Sequence, residues 1–182
     1  LPRKVGLICG RNTDAEKDVV ENARRRWPAV EFEIREVAVQ GAAAVVEVSE
    51  ALRELESIED VDVIIITRGG GSFEDLLPFS DESLVRLAAS CETPIVSAIG
   101  HEKDSPLLDL VADYRASTPT DAAKRVVPDI EQEIADINKI RDRMYRRLLA
   151  SVEYELNQIA QLRNRPVMKD PSVMIKVRKE DL

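Results

Sequence analysis

The sequence predicts an α/β fold of the Rossmann-like or flavodoxin-like kind, with an open and mainly parallel sheet, followed by a long helical segment. Short apolar runs alternate with helix-length segments over the first 127 residues, which is typical of βαβ units. All seven glycines lie within the first 100 residues. The 37 residues between Pro128 and Pro166 contain neither glycine nor proline, which favours one uninterrupted helix. We therefore divide the chain into an α/β domain, residues 1–127, and a helical segment, residues 128–182.

Four apolar runs predict the main strands of the sheet, at residues 4–9, 30–34, 61–67 and 94–99. The third run, VDVIIIT, is rich in β-branched residues, as expected for a strand that is covered on both faces. A short edge strand is expected around Tyr114.

Helices are expected between these strands, at residues 13–27, 42–56, 81–89 and 119–127. Thr13 and Glu16 form a capping-box pattern at the start of the first helix. Ser80 is the predicted N-cap of the third helix.

The helical segment carries apolar residues at spacings of mostly three and four. They are Ile130, Ile134, Ile137, Met144, Leu148, Val152, Leu156, Ile159 and Leu162. A single helix of this length would reach about 55 Å, longer than the α/β domain, so we expect the stripe to pack on a partner helix as in a coiled coil. The alternative is an amphipathic helix folded back on its own domain.

Charge and composition exclude several classes of protein. The apolar fraction of 44 % is too high for a disordered chain, and no apolar run is long enough to span a membrane. The net charge of −8 lies in the α/β domain, because residues 128–182 carry 11 basic and 10 acidic side chains. Such acidity is atypical of a nucleic-acid-binding surface.

The chain has no signal-peptide pattern, and its two cysteines are too few for a disulfide framework. These features predict a cytoplasmic protein. Because the chain begins at Leu1, we expect it to be a piece of a longer protein.

Candidate functional residues concentrate in three loops that follow predicted strands, at residues 10–18, 68–79 and 100–109. In open parallel sheets, ligands bind beyond the carboxyl ends of the strands. These loops hold five of the seven glycines and the only histidine, so they are the predicted site.

Arg68 and the residues that follow it predict an anion site. Gly69, Gly70, Gly71 and Ser72 can bring backbone N–H groups close to a phosphate, and the arginine adds a bidentate donor. The pattern matches neither the Walker loop nor the dinucleotide fingerprint, and a tight turn is the structural alternative.

His101 is placed for acid–base chemistry near neutral pH, and Asp104 could orient it. A surface histidine among solvated charges is the alternative. Asp18, Thr118 and Thr120 lie near predicted helix starts, where carboxylates and hydroxyls commonly have structural roles.

Taken together, these loops resemble the catalytic domain of the exodeoxyribonuclease VII large-subunit family. The matching text is RGGGSFEDLLPFSDESLVR at 68–86 and PIVSAIGHEKDSPLLDLVADYRASTPTDAA at 94–123. The family pattern has RGGGS-x-EDL, then GHE-x-D, then ADxRAxTPT. The segment at 9–15 departs from the family's usual Thr-Ser-x-Thr-Gly-Ala-Ala.

The resemblance implies a nuclease that cleaves single-stranded DNA from either end and releases short 5′-phosphorylated oligonucleotides. It implies catalytic roles for Arg68, His101, Asp104 and Asp18, and phosphate binding by Gly69–Ser72. Glu102, Thr118 and Thr120 are candidate supporting residues.

The family is described as not strictly requiring added metal, so no cofactor is expected. With one histidine and scattered carboxylates, a dedicated transition-metal site is not expected. Mg²⁺ held by Asp18 and Asp104 stays open as an alternative.

The resemblance also implies partners: single-stranded DNA, and a small subunit bound through the coiled coil to give a hetero-oligomer, with no membrane. In the family a strand-binding OB-fold domain precedes this region and more coiled coil follows. We therefore expect the chain alone to be weakly active or inactive. A non-nuclease module that binds a small phosphorylated ligand and a helical assembly scaffold are the competing hypotheses.

Overall fold

The computed structural model describes residues 2–11, 13–100, 103–170 and 172–180. The strands within them are β1 (Lys4–Gly10), β2 (Glu31–Val37), β3 (Val61–Arg68), β4 (Ile95–Ile99) and β5 (Tyr114–Arg115). The helices are α1 (Asp14–Arg26), α2 (Ala44–Glu56), α3 (Phe73–Leu76), α4 (Glu82–Ser90), α5 (Pro119–Val126), α6 (Ile130–Arg163), α7 (Pro166–Lys169) and α8 (Ser172–Glu180). Two 3₁₀ turns lie at Leu77–Ser80 and Leu107–Leu110.

The strands form one open sheet in the order β2-β1-β3-β4-β5, and all four pairings are parallel. This confirms the predicted α/β class, and the strand order is the flavodoxin-like one. The order reverses between β1 and β3, because the chain places β2 on one side and β4 and β5 on the other. A ligand-binding crevice is expected where the carboxyl ends of β1 and β3 meet.

The central strand β3 separates two apolar cores. Its side chains alternate between the faces of the sheet, as a period of two requires. Val63 and Ile65 belong to the cluster that contains Val19 of α1 and Ala122 of α5. Ile64 and Ile66 belong to the cluster that contains the buried residues of α2 and α4. Coverage on both faces explains why the middle of this strand, residues 63–66, is entirely apolar.

Two predicted helix caps are wrong. Thr13 does not cap α1, because its hydroxyl donates to the Gly10 carbonyl at 3.0 Å, and no side-chain cap forms. Ser80 does not cap α4, because it ends a 3₁₀ turn and its hydroxyl accepts from the Leu107 backbone N–H at 3.1 Å. Asp81 is the N-cap instead, and its carboxylate accepts from the Ser83 N–H at 2.9 Å.

By its internal contacts the chain divides into two units, Leu1–Glu131 and Gln132–Leu182. The boundary that we predicted after residue 127 falls between α5 and α6. Helix α6 has 34 residues, which confirms the predicted long helix. Its large apolar side chains from Ile134 to Leu162 are each 48–66 % exposed. No helix among the described residues has the length and apolarity needed to cross a bilayer.

Phe73 and Phe79 provide a matched test of the apolar core that contains the buried side chains of α2 and α4. Phe79 is fully buried in the core between α2 and α4, so Phe79→Ala should lower the free energy of unfolding by about 3–5 kcal/mol. Phe73→Ala is the control, because Phe73 is 75 % exposed and its loss should change stability by at most about 0.5 kcal/mol. Urea unfolding of the two variants measures both values. Equal losses would contradict the arrangement.

Candidate active site

The loops after β3 and β4 meet at the carboxyl edge of the sheet. The two strands pair in parallel up to Arg68 and Ile99, their last residues. The Gly100 N–H then donates to the Arg68 carbonyl at 3.1 Å. This bond ties the start of the second loop to the end of β3, so the glycine loop and the loop that carries Asp104 begin side by side.

Arg68 is buried behind the glycine loop rather than exposed as a free surface cation. Its side chain is only 6 % exposed, and its guanidinium lies 3.1 Å from the Asp75 carboxylate. Nη1 donates to the Gly69 carbonyl at 2.9 Å, and Nη2 donates to the Gln40 side-chain oxygen at 3.0 Å. These partners compensate a charge that would be costly to bury alone.

The glycine loop is exposed from Gly69 to Ser72, so its backbone is open to a ligand. The N–H of Ser72 already donates to the Asp75 carboxylate. A Cβ atom on Gly71 would lie 2.2 Å from Arg68 Nη1, whereas a Cβ on Gly69 would have no atom within 4 Å. A side chain at position 71 would therefore have to displace the guanidinium, which three partners hold against the backbone there.

Asp75 connects the loop to the buried arginine. Its carboxylate accepts from the Ser72 backbone N–H at 3.1 Å, the reciprocal half of a capping box. This hydrogen bond, with the charge of Arg68 as a further cause, lowers the pKa of Asp75 below its ordinary value. Asp75 therefore stays ionised at neutral pH and keeps its pair with Arg68. The pKa of Glu74 is lowered as well, by hydrogen bonds from the backbone N–H of Glu74 itself and from the Ser72 hydroxyl.

Asp104 lies against Gly100, at the end of β4. Gly100 has a φ of +72°, in the left-handed region that favours glycine, and a Cβ there would lie 2.5 Å from Asp104 Oδ2. The backbone therefore carries no side chain at the point where the carboxylate rests. His101 and Glu102, predicted as catalytic and supporting residues, lie outside the described residues.

The other predicted residues stand apart from this pair of loops. Asp18 is exposed in α1, and within the described part of the chain its carboxylate makes no hydrogen bond or ion pair. Its backbone carbonyl accepts from the Asn22 side chain at 2.7 Å. Thr118 is the N-cap of α5 and accepts from the Asp121 N–H at 3.1 Å, and Thr120 lies in the first turn of that helix.

The described residues hold neither a cluster of metal-ligating side chains nor an activated Cys9 thiol. Among the described residues, no group of three or more histidine, cysteine or acidic side chains could hold a metal ion. Burial, with Glu16 and Glu36 nearby, raises the pKa of Cys9 to about 12. This thiol is therefore protonated at neutral pH and is not an activated nucleophile.

A small cavity of about 140 Å³ opens beside Asp104. Phe73 and Leu77 form its apolar side, and Lys103 and Ser105 line it from the other loop. A larger cavity of about 920 Å³ lies at the opposite, amino edge of the sheet, and its wall includes Asp62. There the Asp62 carboxylate accepts hydrogen bonds from the backbone N–H groups of Arg3 and Lys4. The smaller cavity is the one associated with the predicted residues, because Asp104 lines it.

Two partners of Arg68 were not predicted as site residues. Asp75 stands three positions after Ser72, and the capping-box spacing could have indicated it. Gln40 is 28 positions from Arg68 and follows a different strand, so no local pattern points to it.

The family profile described as "Exonuclease VII, large subunit" matches residues 1–182. The chain belongs to the exonuclease VII large-subunit family. The exodeoxyribonuclease 7 large subunit of Streptomyces coelicolor is 59 % identical over 180 residues, covering 99 % of this chain and 45 % of the relative. That of Thermobifida fusca is 63 % identical over 171 residues, which is 94 % of the chain and 42 % of the relative.

The large subunit of Mycobacterium tuberculosis is 56 % identical over the whole chain and 44 % of its own length. The chain thus spans less than half the length of the exonuclease VII large subunits that it matches. Membership supports the nuclease class that the glycine and GHE-x-D segments suggested.

Gly71→Ala and Gly69→Ala test the packing of Arg68 against the loop. We expect Gly71→Ala to displace the guanidinium, because the added methyl would overlap its atoms, and to weaken phosphate binding by about tenfold or more. Gly69→Ala should leave Arg68 in place, because the added methyl meets open space. Titration of each variant with inorganic phosphate, followed by amide NMR shifts at the loop, measures the effect. Equal behaviour of the two variants would refute this packing.

Proposed function

We propose that this chain is the catalytic part of a nuclease that hydrolyses phosphodiester bonds in single-stranded DNA. Cleavage would proceed from either end and release short 5′-phosphorylated oligonucleotides. The observation that carries the proposal is the junction of an exposed glycine loop, a buried arginine behind it and Asp104 beside it, at the carboxyl edge of the sheet. Family membership supports the reaction class.

The scissile phosphate would bind on the backbone N–H groups of Gly69, Gly70 and Gly71. The N–H of Ser72 would join them by exchanging the Asp75 carboxylate for the phosphate. Arg68 would add positive potential from behind the loop, in surroundings drier than bulk water, where charge acts over a longer distance. Its ion pair with Asp75 keeps this charge partly compensated until the anion arrives.

His101 would transfer a proton to or from water or the leaving oxygen, and Asp104 would orient it. Glu102, Thr118 and Thr120 would support these groups. Asp18 would position water. We propose that hydrolysis does not strictly require a metal ion. The alternative is that Mg²⁺ binds through Asp18 and Asp104.

An aromatic side chain beside the cavity supports single-strand recognition. Phe73 follows the glycine loop directly and is 75 % exposed, so a base from an unpaired strand can stack on its ring. A duplex keeps its bases stacked on one another and would not use this ring.

The exposed apolar stripe of α6 supports binding to a small subunit. An unpaired row of Ile, Leu, Met and Val at these spacings is the pattern of one strand of a coiled coil. We propose a hetero-oligomer formed through this stripe, and a cytoplasmic location in which Cys9 and Cys91 stay reduced.

The acidity of the α/β unit supports a division of labour. Residues 1–127 carry 15 basic and 24 acidic side chains, so long-range attraction to DNA must come from elsewhere in the whole protein. We therefore propose that the 182-residue chain alone binds and cleaves DNA weakly.

Replacing His101 tests the proposed reaction. In the full-length protein, co-purified with a small subunit, His101→Ala should lower kcat on an end-labelled single-stranded oligonucleotide by about 10²-fold or more, because general acid–base catalysis is lost. Arg86→Ala is the control, because this arginine is exposed and, among the residues that the structure describes, pairs with Glu82 alone on α4. Assays in EDTA and in Mg²⁺ test the metal alternative.

Full activity of His101→Ala would remove this residue from the mechanism. Stabilisation of the chain by a small phosphorylated compound, without any hydrolysis of DNA by the full-length protein, would favour the non-nuclease module instead. Complete loss in EDTA, restored by Mg²⁺, would favour the metal alternative.

Phe73 variants test base stacking. Phe73→Leu removes the ring but keeps an apolar side chain, and we expect KM for a single-stranded oligonucleotide to rise about 5- to 100-fold. Phe73→Trp is the matched variant and should keep KM near its original value, because it preserves an aromatic face. An unchanged KM in Phe73→Leu would show that no base stacks on this ring.

A further inference from the structure

A buried carboxylate lies behind the loop that carries Asp104, and the proposed reaction does not use it. Asp109 belongs to the 3₁₀ turn Leu107–Leu110, and its side chain is only 4 % exposed. Its Oδ1 accepts from the buried Ser97 hydroxyl at 2.5 Å. Its Oδ2 forms an ion pair with Arg115, 2.9 Å from Nε, without the alignment of a hydrogen bond. A carboxylate this buried needs a charged partner, and Arg115 supplies it.

Arg115 also binds the backbone of Asp104, through a second nitrogen of its guanidinium. Its Nη2 donates to the backbone carbonyl of Asp104. A guanidinium is a rigid, planar fork, so two groups bound to it are held at a set separation. Lysine offers one compact charged group and cannot hold both in this way.

The strand that carries Arg115 is anchored to the sheet. Arg115 pairs with Ser97 in the register between β4 and β5, and the Ala116 N–H donates to the Ser97 carbonyl at 2.7 Å. The backbone of Asp104 is thereby connected to β4: it binds Arg115, Arg115 pairs with Asp109, and Asp109 binds Ser97 of β4. The Asp104 side chain in turn rests on Gly100, which is bonded to the end of β3.

We propose that Arg115 is a positioning residue that, anchored by the buried Asp109, sets the place of Asp104 at the candidate active site. The inference rests on the proposed function, because the role of Asp104 in hydrolysis is proposed there. The effect of Arg115 on the reaction is exerted through the backbone of Asp104.

Kinetics of Arg115 variants in the full-length protein with its small subunit test the proposal. We expect Arg115→Gln to lower kcat on single-stranded DNA by about 10- to 100-fold, because a displacement of about 1 Å in a reacting group has effects of this size. KM should change by less than about twofold, because substrate binding is left intact. Arg115→Lys should recover only part of the loss.

Arg125→Gln is the matched control. Arg125 belongs to α5 and lies 4.8 Å over the ring of Tyr114, the neighbour of Arg115 in β5. This variant therefore removes an arginine that packs on β5 while leaving the contacts of Arg115 in place. Its kcat should be unchanged. A comparable loss in this variant would mean that general damage to β5 explains the effect, and would overturn the proposal.

A double variant separates positioning from an independent role. In an Asp104→Asn background, Arg115→Gln should cause no further loss, because the two residues act through the same group. A full additional loss would overturn the proposal, as would a raised KM with unchanged kcat, which would place Arg115 in direct contact with DNA.

A structural measurement separates failure of this inference from failure of the proposed function. In Arg115→Gln, hydrogen exchange at backbone amides of residues 103–107 should be about tenfold faster than in the original chain, because the tie at Asp104 is lost. Unchanged exchange would overturn the positioning role whatever the reaction is. Full activity of Asp104→Asn would instead refute the proposed catalytic role, while the exchange result still decides the positioning. Asp109→Asn provides a second variant for exchange if Arg115→Gln does not fold.

Discussion

The buried guanidinium of Arg68 is the group on which the candidate site depends. A positive charge at the end of a central strand, almost fully removed from water, is stable only if charge and hydrogen-bond partners surround it. The Gly69 carbonyl and Asp75, both from the segment that follows Arg68, meet this requirement together with Gln40, which comes from 28 positions earlier in the chain. The path of the glycine loop follows from it, because the loop must bring a carbonyl and an aspartate to the guanidinium and pass close to it at Gly71.

Parallel pairing brings this arginine close to the second loop. Since β3 and β4 run side by side and end in register at Arg68 and Ile99, the glycine loop and the Asp104 loop leave the same edge of the sheet. Their first contact is a backbone hydrogen bond from Gly100 to Arg68, which does not depend on side-chain identity. Chemically different groups therefore meet at one point: exposed amides, a buried cation and a carboxylate.

The two loops are held from behind in similar ways. Asp75 pairs with Arg68 beneath the glycine loop, and Asp109 pairs with Arg115 beneath the Asp104 loop. The first pair supports the glycine loop and the second supports the backbone of Asp104. These two segments carry groups that the family resemblance connects with hydrolysis. Such support from the interior suits a site in which the working groups must be exposed to a polymer yet fixed in position.

Most of the fold could be predicted from the sequence because the periodicity of apolar residues is a local property. The alternation of strands and helices, the buried character of β3 and the length of α6 all follow from spacings within short segments. The glycine segment and the segment from Gly100 to Asp104 indicated the carboxyl edge of the sheet and, through their resemblance to one family, the class of reaction. Local patterns also suggested Thr13 and Ser80 as helix caps, but both hydroxyls take other partners in the folded chain.

The tertiary structure decided which polar groups meet across the chain. Gln40 reaches Arg68 from the loop that follows β2, and Arg115 joins Asp109 to the backbone of Asp104. These contacts depend on strand order and register, which place residues far apart in the chain within hydrogen-bond distance, and no local spacing specifies them. The sequence by itself determined which elements form and which residue types stand at their carboxyl ends. Burial of Arg68 and Asp109 in the folded chain decided how those residues are held, because a charge removed from water must find its partners in space rather than along the chain.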